Sequence, residues 1–162
     1  MAASIPAEYL IRLLEMNRQR FLHGLGCVPD DRLEWSPGGS AHPPLTLAGR
    51  LASFIDHRAR VFSSPPAAEV PRTAPAIPTS RDEAVGLVDA AFGRLSAAVE
   101  GLSDGDLERP LTAPWGAELP LGVMLLTALN VVGYFQGQLN YCQLAYGDTD
   151  PNIPPDWRPS GS

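Results

Sequence analysis

The sequence predicts an all-α chain, a four-helix bundle with long crossover loops, on three observations. Its 17 prolines leave four free stretches, residues 7–28, 45–64, 79–109 and 121–150, and crowd the joints between them. Proline removes a backbone donor and clashes with the preceding turn, so the gaps mark candidate helices. Each gap carries apolar residues at the helical period, and no strand pattern competes. A chain of 162 residues, 44% of them apolar, has the length and composition of one domain with a real core.

In the first stretch Leu10, Leu13, Leu14, Asn17, Phe21 and Leu25 share a face, and Ser4 with Pro6 makes the helix start. In the second the face is Leu47, Leu51, Phe54, Ile55, Arg58, Val61 and Phe62, with Thr46 as N-cap. The third shows a heptad-like seam at Val85, Val88, Phe92, Leu95, Val99 and Leu102, capped by Thr79 or Ser80 and ended near Gly101. The fourth is the longest and most apolar: Leu121, Met124, Leu125, Ala128, Val131, Val132, Phe135, Leu139 and Cys142, closing at Gly147.

The joints differ in kind. Residues 29–44 and 63–79 are long enough to be crossovers, which argues against a simple up-down-up-down connection. Within 103–120 a short turn of helix, SDGDLERP, precedes an irregular link. The bundle therefore spans residues 1–147, followed by a polar, proline-rich tail, 148–162, which either lies along the surface pinned by Trp157 or frays.

Charge and composition exclude several classes of function. The net charge is −6 and the pI about 4.9, with no basic cluster, so no nucleic acid partner is expected. Twelve arginines and no lysine rule out Schiff-base chemistry and a P-loop lysine; together with Ala, Gly and Pro they fit a GC-rich bacterial genome. No apolar signal segment and no membrane-length run is present, which points to a cytoplasmic protein. In that reducing compartment Cys27 and Cys142 are expected as free thiols.

The familiar catalytic signatures, GxSxG, HExxH, CxxC and GxGxxG, are missing, and no catalytic residue is assigned. Of three histidines, His23 and His42 read as surface or rim residues. His57 lies on the flank of the second apolar stripe, open to a structural role or to contact with a ligand. Asn17 and Gln138 both point into the bundle in this reading. They either bond one another or a trapped water and set helix register, or they floor a small pocket. Cys142, on an apolar face without a cationic neighbour, reads as an inert structural thiol, and Trp35 as a plug at the bundle end.

A leucine-striped first helix followed by VPDDRLEWSP, a capped second helix with LASFIDHRARVF, a proline-rich crossover and a last helix ending GQLNYCQLAYGD together resemble the DinB-like family of bacterial four-helix bundles. In that family the last helix reads His-x-x-x-His-x-Gly-Gln, and its two histidines join one from helix two to hold nickel or zinc. Gly137 and Gln138 match the final pair, which sets the two histidine positions at Val131 and Phe135. Neither side chain can bind a metal. The helix-two position falls at Ser53 when counted from Thr46, or at His57 one turn later; Ser53 is expected on the face opposite the apolar stripe.

The resemblance thus implies a variant without the family's metal and with no cofactor. Its first functional implication is a stress-associated or accessory module holding a small, largely apolar molecule near Asn17, His57, Val131, Phe135 and Gln138. The second is a thiol-dependent transferase or isomerase, whose metal would have to be replaced by some other activator of the thiol. The third is a purely structural interaction protein. Pairing into a homodimer is implied by the resemblance alone.

Overall fold

Helices form in the predicted gaps: α1 (Ala7–Gly26), α2 (Pro44–Ser63), α3 (Arg81–Glu100), the single turn α4 (Asp104–Leu107) and α5 (Leu121–Ala145). The computed structural model describes residues 6–65, 69–113 and 115–158. The four long helices make a bundle in which α1 and α2 each pack against both α3 and α5. Going round the bundle the order is α1, α3, α2, α5, so α1 and α2 are diagonal partners. That arrangement requires the long connection between them.

The buried stripes follow the predicted periods closely. Leu10, Leu14, Phe21 and Leu25 of α1, Leu47, Leu51 and Ile55 of α2, Val88, Phe92 and Leu95 of α3, and Met124, Leu125 and Leu139 of α5 are fully or almost fully buried. Leu13 departs from its predicted face and stands 36% exposed. Arg58 belongs to the inner stripe of α2 and is buried there.

Helix ends differ from expectation in instructive ways. α2 begins at Pro44 with Pro43 at the N-cap, three residues before the predicted cap Thr46. Proline in a first turn gives up a donor that has no helical partner anyway, so it starts a helix as readily as it stops one. Pro6 occupies the N-cap of α1, and Ser4 lies outside the described residues. Ser80, rather than Thr79, caps α3 by accepting from the Glu83 amide, and Gly101 closes that helix.

The expected irregular link is a small antiparallel hairpin instead. β1 (Pro110–Thr112) pairs with β2 (Glu118–Pro120) in the register Pro110 to Pro120, Leu111 to Leu119 and Thr112 to Glu118. Gly116, at φ +88°, supplies the left-handed residue the turn requires. Both prolines sit at the open end of the ladder, where a missing donor costs least.

Polar groups tie the elements together at three places. The last carbonyls of α1 have no helical donors, and Arg81 supplies them: its guanidinium donates to Leu25 O at 2.7 Å and Gly26 O at 3.0 Å, and to Asp30 Oδ1 at 2.6 Å. Gln143 of α5 donates through Nε2 to Gly24 O at 3.0 Å in the buried seam between α1 and α5. Trp35 stands edge-on to Tyr146 with ring centroids 5.9 Å apart, joining the loop after α1 to the end of α5. The tail folds back on itself through Asp148, Asp150 and Asn152, with Asn152 and Pro154 buried, so its anchor precedes Trp157.

Candidate functional site

A concavity lies where α2, the crossover after it and α5 meet. Helical spacing puts Arg50, Ser53, Phe54 and His57 on one flank of α2. The crossover contributes Arg72, Thr73 and Pro75, and α5 contributes Phe135, around a cavity of about 260 Å³. Ser53 therefore does not face away from the site, as the helical wheel suggested; Ser53 and His57 line it together, one turn apart.

The crossover is held against α2 by named contacts. Ser53 Oγ donates to Thr73 O at 3.2 Å, and Arg60 Nη1 donates to Pro71 O at 3.1 Å. Gly49 lets the chain come closer still. A Cβ at that position would overlap the Ala76 carbonyl oxygen and stand 3.0 Å from Pro78 Cδ. The close path of the crossover over α2 thus depends on a missing side chain.

The cavity is cationic. Arg50, Arg72 and His57 line it and no carboxylate does. The nearest acid on α2, Asp56, is engaged elsewhere, by Arg94 at 2.6 Å and Arg60 at 3.4 Å. Behind the lining, the buried Arg58 lays its guanidinium 5.1 Å from the centre of the Phe54 ring. Two buried nitrogens, His57 Nδ1 and Arg58 Nε, have no hydrogen-bond partner among the described residues.

Burial, reinforced by the charges of Arg58, Arg72 and Arg60, holds His57 below its ordinary imidazole value, against a weaker opposite pull from Asp56. The folded protein therefore keeps His57 neutral where the unfolded chain takes up a proton. The unfolded state binds more protons below about pH 6.5, so this group withdraws stability as pH falls through that value. Urea unfolding of the His57→Gln variant at a series of pH values between about 7.5 and 5.5 should show a shallower loss of stability than the parent. A parallel pair of curves would mean that His57 titrates alike in both states.

The five residues singled out in the sequence do not all converge. His57 and Phe135 meet at the cavity. Asn17 lies on a separate cleft between α1 and α5 with Arg20, Gln136 and Asn140, and donates within its own helix to Leu13 O at 2.8 Å. Val131 is half-buried and packs against the core. Gln138 is half-buried and lines neither cavity, while the amides that α5 buries are Gln136 and Gln143.

The family model of the DinB superfamily matches residues 13–131. The chain belongs to the DinB superfamily. Solved structures agree with this assignment at the level of fold. A DinB-like protein, YjoA, from Bacillus subtilis superposes with a TM-score of 0.72 at 14% identity, covering 90% of this chain and 96% of that one. A DinB-like protein from Bacillus cereus ATCC 10987 does so with a TM-score of 0.72 at 16% identity, covering 94% and 98%. A mycothiol-dependent maleylpyruvate isomerase superposes with a TM-score of 0.61 at 15% identity, covering 83% of this chain and 61% of that one. No curated protein matches the chain.

The residues present do not fit the metal that the DinB resemblance implies. At its two last-helix positions stand Val131 and Phe135, and the single imidazole that faces the cavity is flanked by two guanidinium groups. Among the described residues no three His, Cys, Asp or Glu side chains come together as a metal site. Nor does either cysteine offer a nucleophile in its place. Burial raises the Cys142 thiol above its ordinary value, and burial with the charges of Asp148 and Asp150 does the same for Cys27.

Sequence reasoning missed Arg50 and Arg72. Arg50 had a signal, since it stands three and seven residues before Ser53 and His57 on one helical flank. Arg72 had none. It lies among prolines whose path across α2 is a property of the fold.

Proposed function

We propose that this DinB superfamily protein is a metal-free binding module whose cavity between α2, the crossover and Phe135 holds a small molecule. The observation that carries the reading is Phe135. Its ring lines the cavity at the position where the family pattern has a metal-binding histidine, so the site presents an aromatic wall instead of a donor set. In this reading the bundle, residues 1–147, carries the site and the tail, 148–162, takes no part. The free thiols Cys27 and Cys142 accord with a cytoplasmic location. No helix of the described residues is long and apolar enough to cross a membrane.

A thiol-dependent transferase or isomerase is the competing reading. What speaks for it is the likeness to the mycothiol-dependent isomerase, which at 15% identity is a likeness of fold. Val131 and Phe135 speak against it. A homodimer through α1 and α5 is also proposed, on the exposed apolar side chains Tyr9, Leu13 and Met16 of α1 and Tyr134, Tyr141 and Leu144 of α5.

Protein-observed NMR with a library of small aromatic fragments tests the binding module. Shift changes should cluster on Ser53, His57, Thr73 and Phe135. Fragments that bind only elsewhere, or not at all, would remove the cavity from the account.

A further inference from the structure

We propose that the cavity selects a small organic anion, a carboxylate or phosphate head carried on a flat apolar body. The head is taken by Arg50 and Arg72, and the body lies against Phe54, Pro75 and Phe135. This inference rests on the reading of the cavity as a binding site and narrows its ligand.

The balance of charge favours an anion. The chain as a whole carries 18 acidic residues against 12 arginines. A cavity lined by two of those arginines and no carboxylate runs against that average. The one acidic residue of α2, Asp56, is already committed to Arg94 of α3 and to Arg60. Nothing described in the lining answers the two guanidinium groups.

The layer behind the lining favours one as well. Arg58 is only 7% exposed, its Nε has no partner among the described residues, and its guanidinium lies against the Phe54 ring. Burying a cation is costly, and an anion in the adjoining cavity offsets part of that cost. His57 Nδ1, buried and without a partner, adds a ring nitrogen that can donate once an anion arrives.

Size and shape narrow the occupant further. At about 260 Å³ the cavity falls just below the usual range for ligand sites, so its occupant is small. Phe54 and Phe135 give two aromatic walls for a flat body, and guanidinium forks match the planar geometry of carboxylate and phosphate. A bare inorganic ion would leave those rings without a partner.

The experiment uses the full chain and four matched probes, benzoate, phenyl phosphate, benzamide and benzylamine, titrated by NMR with the resonances of His57 and Phe135 as the readout. At least one of the two anions should bind about tenfold or more tighter than benzamide, and benzylamine weakest of all. The tighter of the two anions then identifies the head group. The Arg50→Gln/Arg72→Gln double variant, whose two exposed positions leave the core untouched, should bind the anions no better than benzamide. If benzamide matches the anions in the parent, or the preference survives in the double variant, the inference falls while the cavity stands as a site. If no probe moves these resonances, the binding reading falls with it.

Discussion

Gly49→Ala will destabilise the protein and impair its cavity, whereas the same change at Gly93 will stabilise it. In the exposed interior of a helix, glycine to alanine is worth about 0.5–1 kcal/mol of added stability, because alanine loses less backbone entropy on folding. Gly93 of α3 is such a place, with no neighbouring atom near a new methyl group. Gly49 reverses the sign. Its added methyl would meet the Ala76 carbonyl and Pro78, a backbone segment that cannot turn aside as a flexible side chain can. Overpacking of this kind costs about 1–3 kcal/mol. The structure can relax only by lifting the crossover, and with it Arg72, Thr73 and Pro75, off α2. Urea denaturation of both variants, with aromatic fragment titration of the first, checks the claim; a stable Gly49→Ala protein with unchanged binding would contradict it.

Val131→His combined with Phe135→His will turn the chain into a metal-binding protein. Four residues apart on α5, two imidazoles stack on one face, as the family pattern requires. Phe135 already lines the same cavity as His57, so a histidine there gains a third partner from α2. The exchange forfeits ring burial at Phe135, about 1.5–3 kcal/mol, and metal binding to the folded state returns stability by mass action. Nickel or zinc should rise from below about 0.1 to about one equivalent per chain and fall back on His57→Ala. A double variant that folds, by circular dichroism, yet takes up no more metal than the parent would show that residues 131 and 135 do not converge with His57.

The architecture was legible because proline and the helical period act locally. Gaps between prolines located four helices, and the stripes of α1, α2, α3 and α5 located most of the core. The exceptions have local causes as well: Pro44 sits at a first turn, where the rule against proline lapses, and the hairpin of β1 and β2 is too short to show alternation. On α5 the predicted stripe is buried except for the half-buried Val131, and only the inner amide differs. That helix is apolar nearly all round, with Leu126, Leu129 and Val131 half-buried and Tyr134 and Leu144 exposed, so its wheel has no sharp direction. The inner amides were therefore assigned to Gln138 when Gln136 and Gln143 hold them. Phe135 could be placed because Gly137 and Gln138 anchor it by spacing. The arginines of the cavity could not, since their convergence depends on how a proline-rich crossover returns across α2.

The central claim is that this member of the DinB superfamily keeps the bundle and has exchanged the metal site for a cationic, aromatic-walled cavity. Metal content tests it most directly, by mass spectrometry on tag-free protein loaded with nickel and zinc and then dialysed. The account predicts less than about 0.1 equivalent of either metal per chain. Close to one equivalent, lost in the His57→Ala variant, would contradict it and make a metal-dependent enzyme the leading reading.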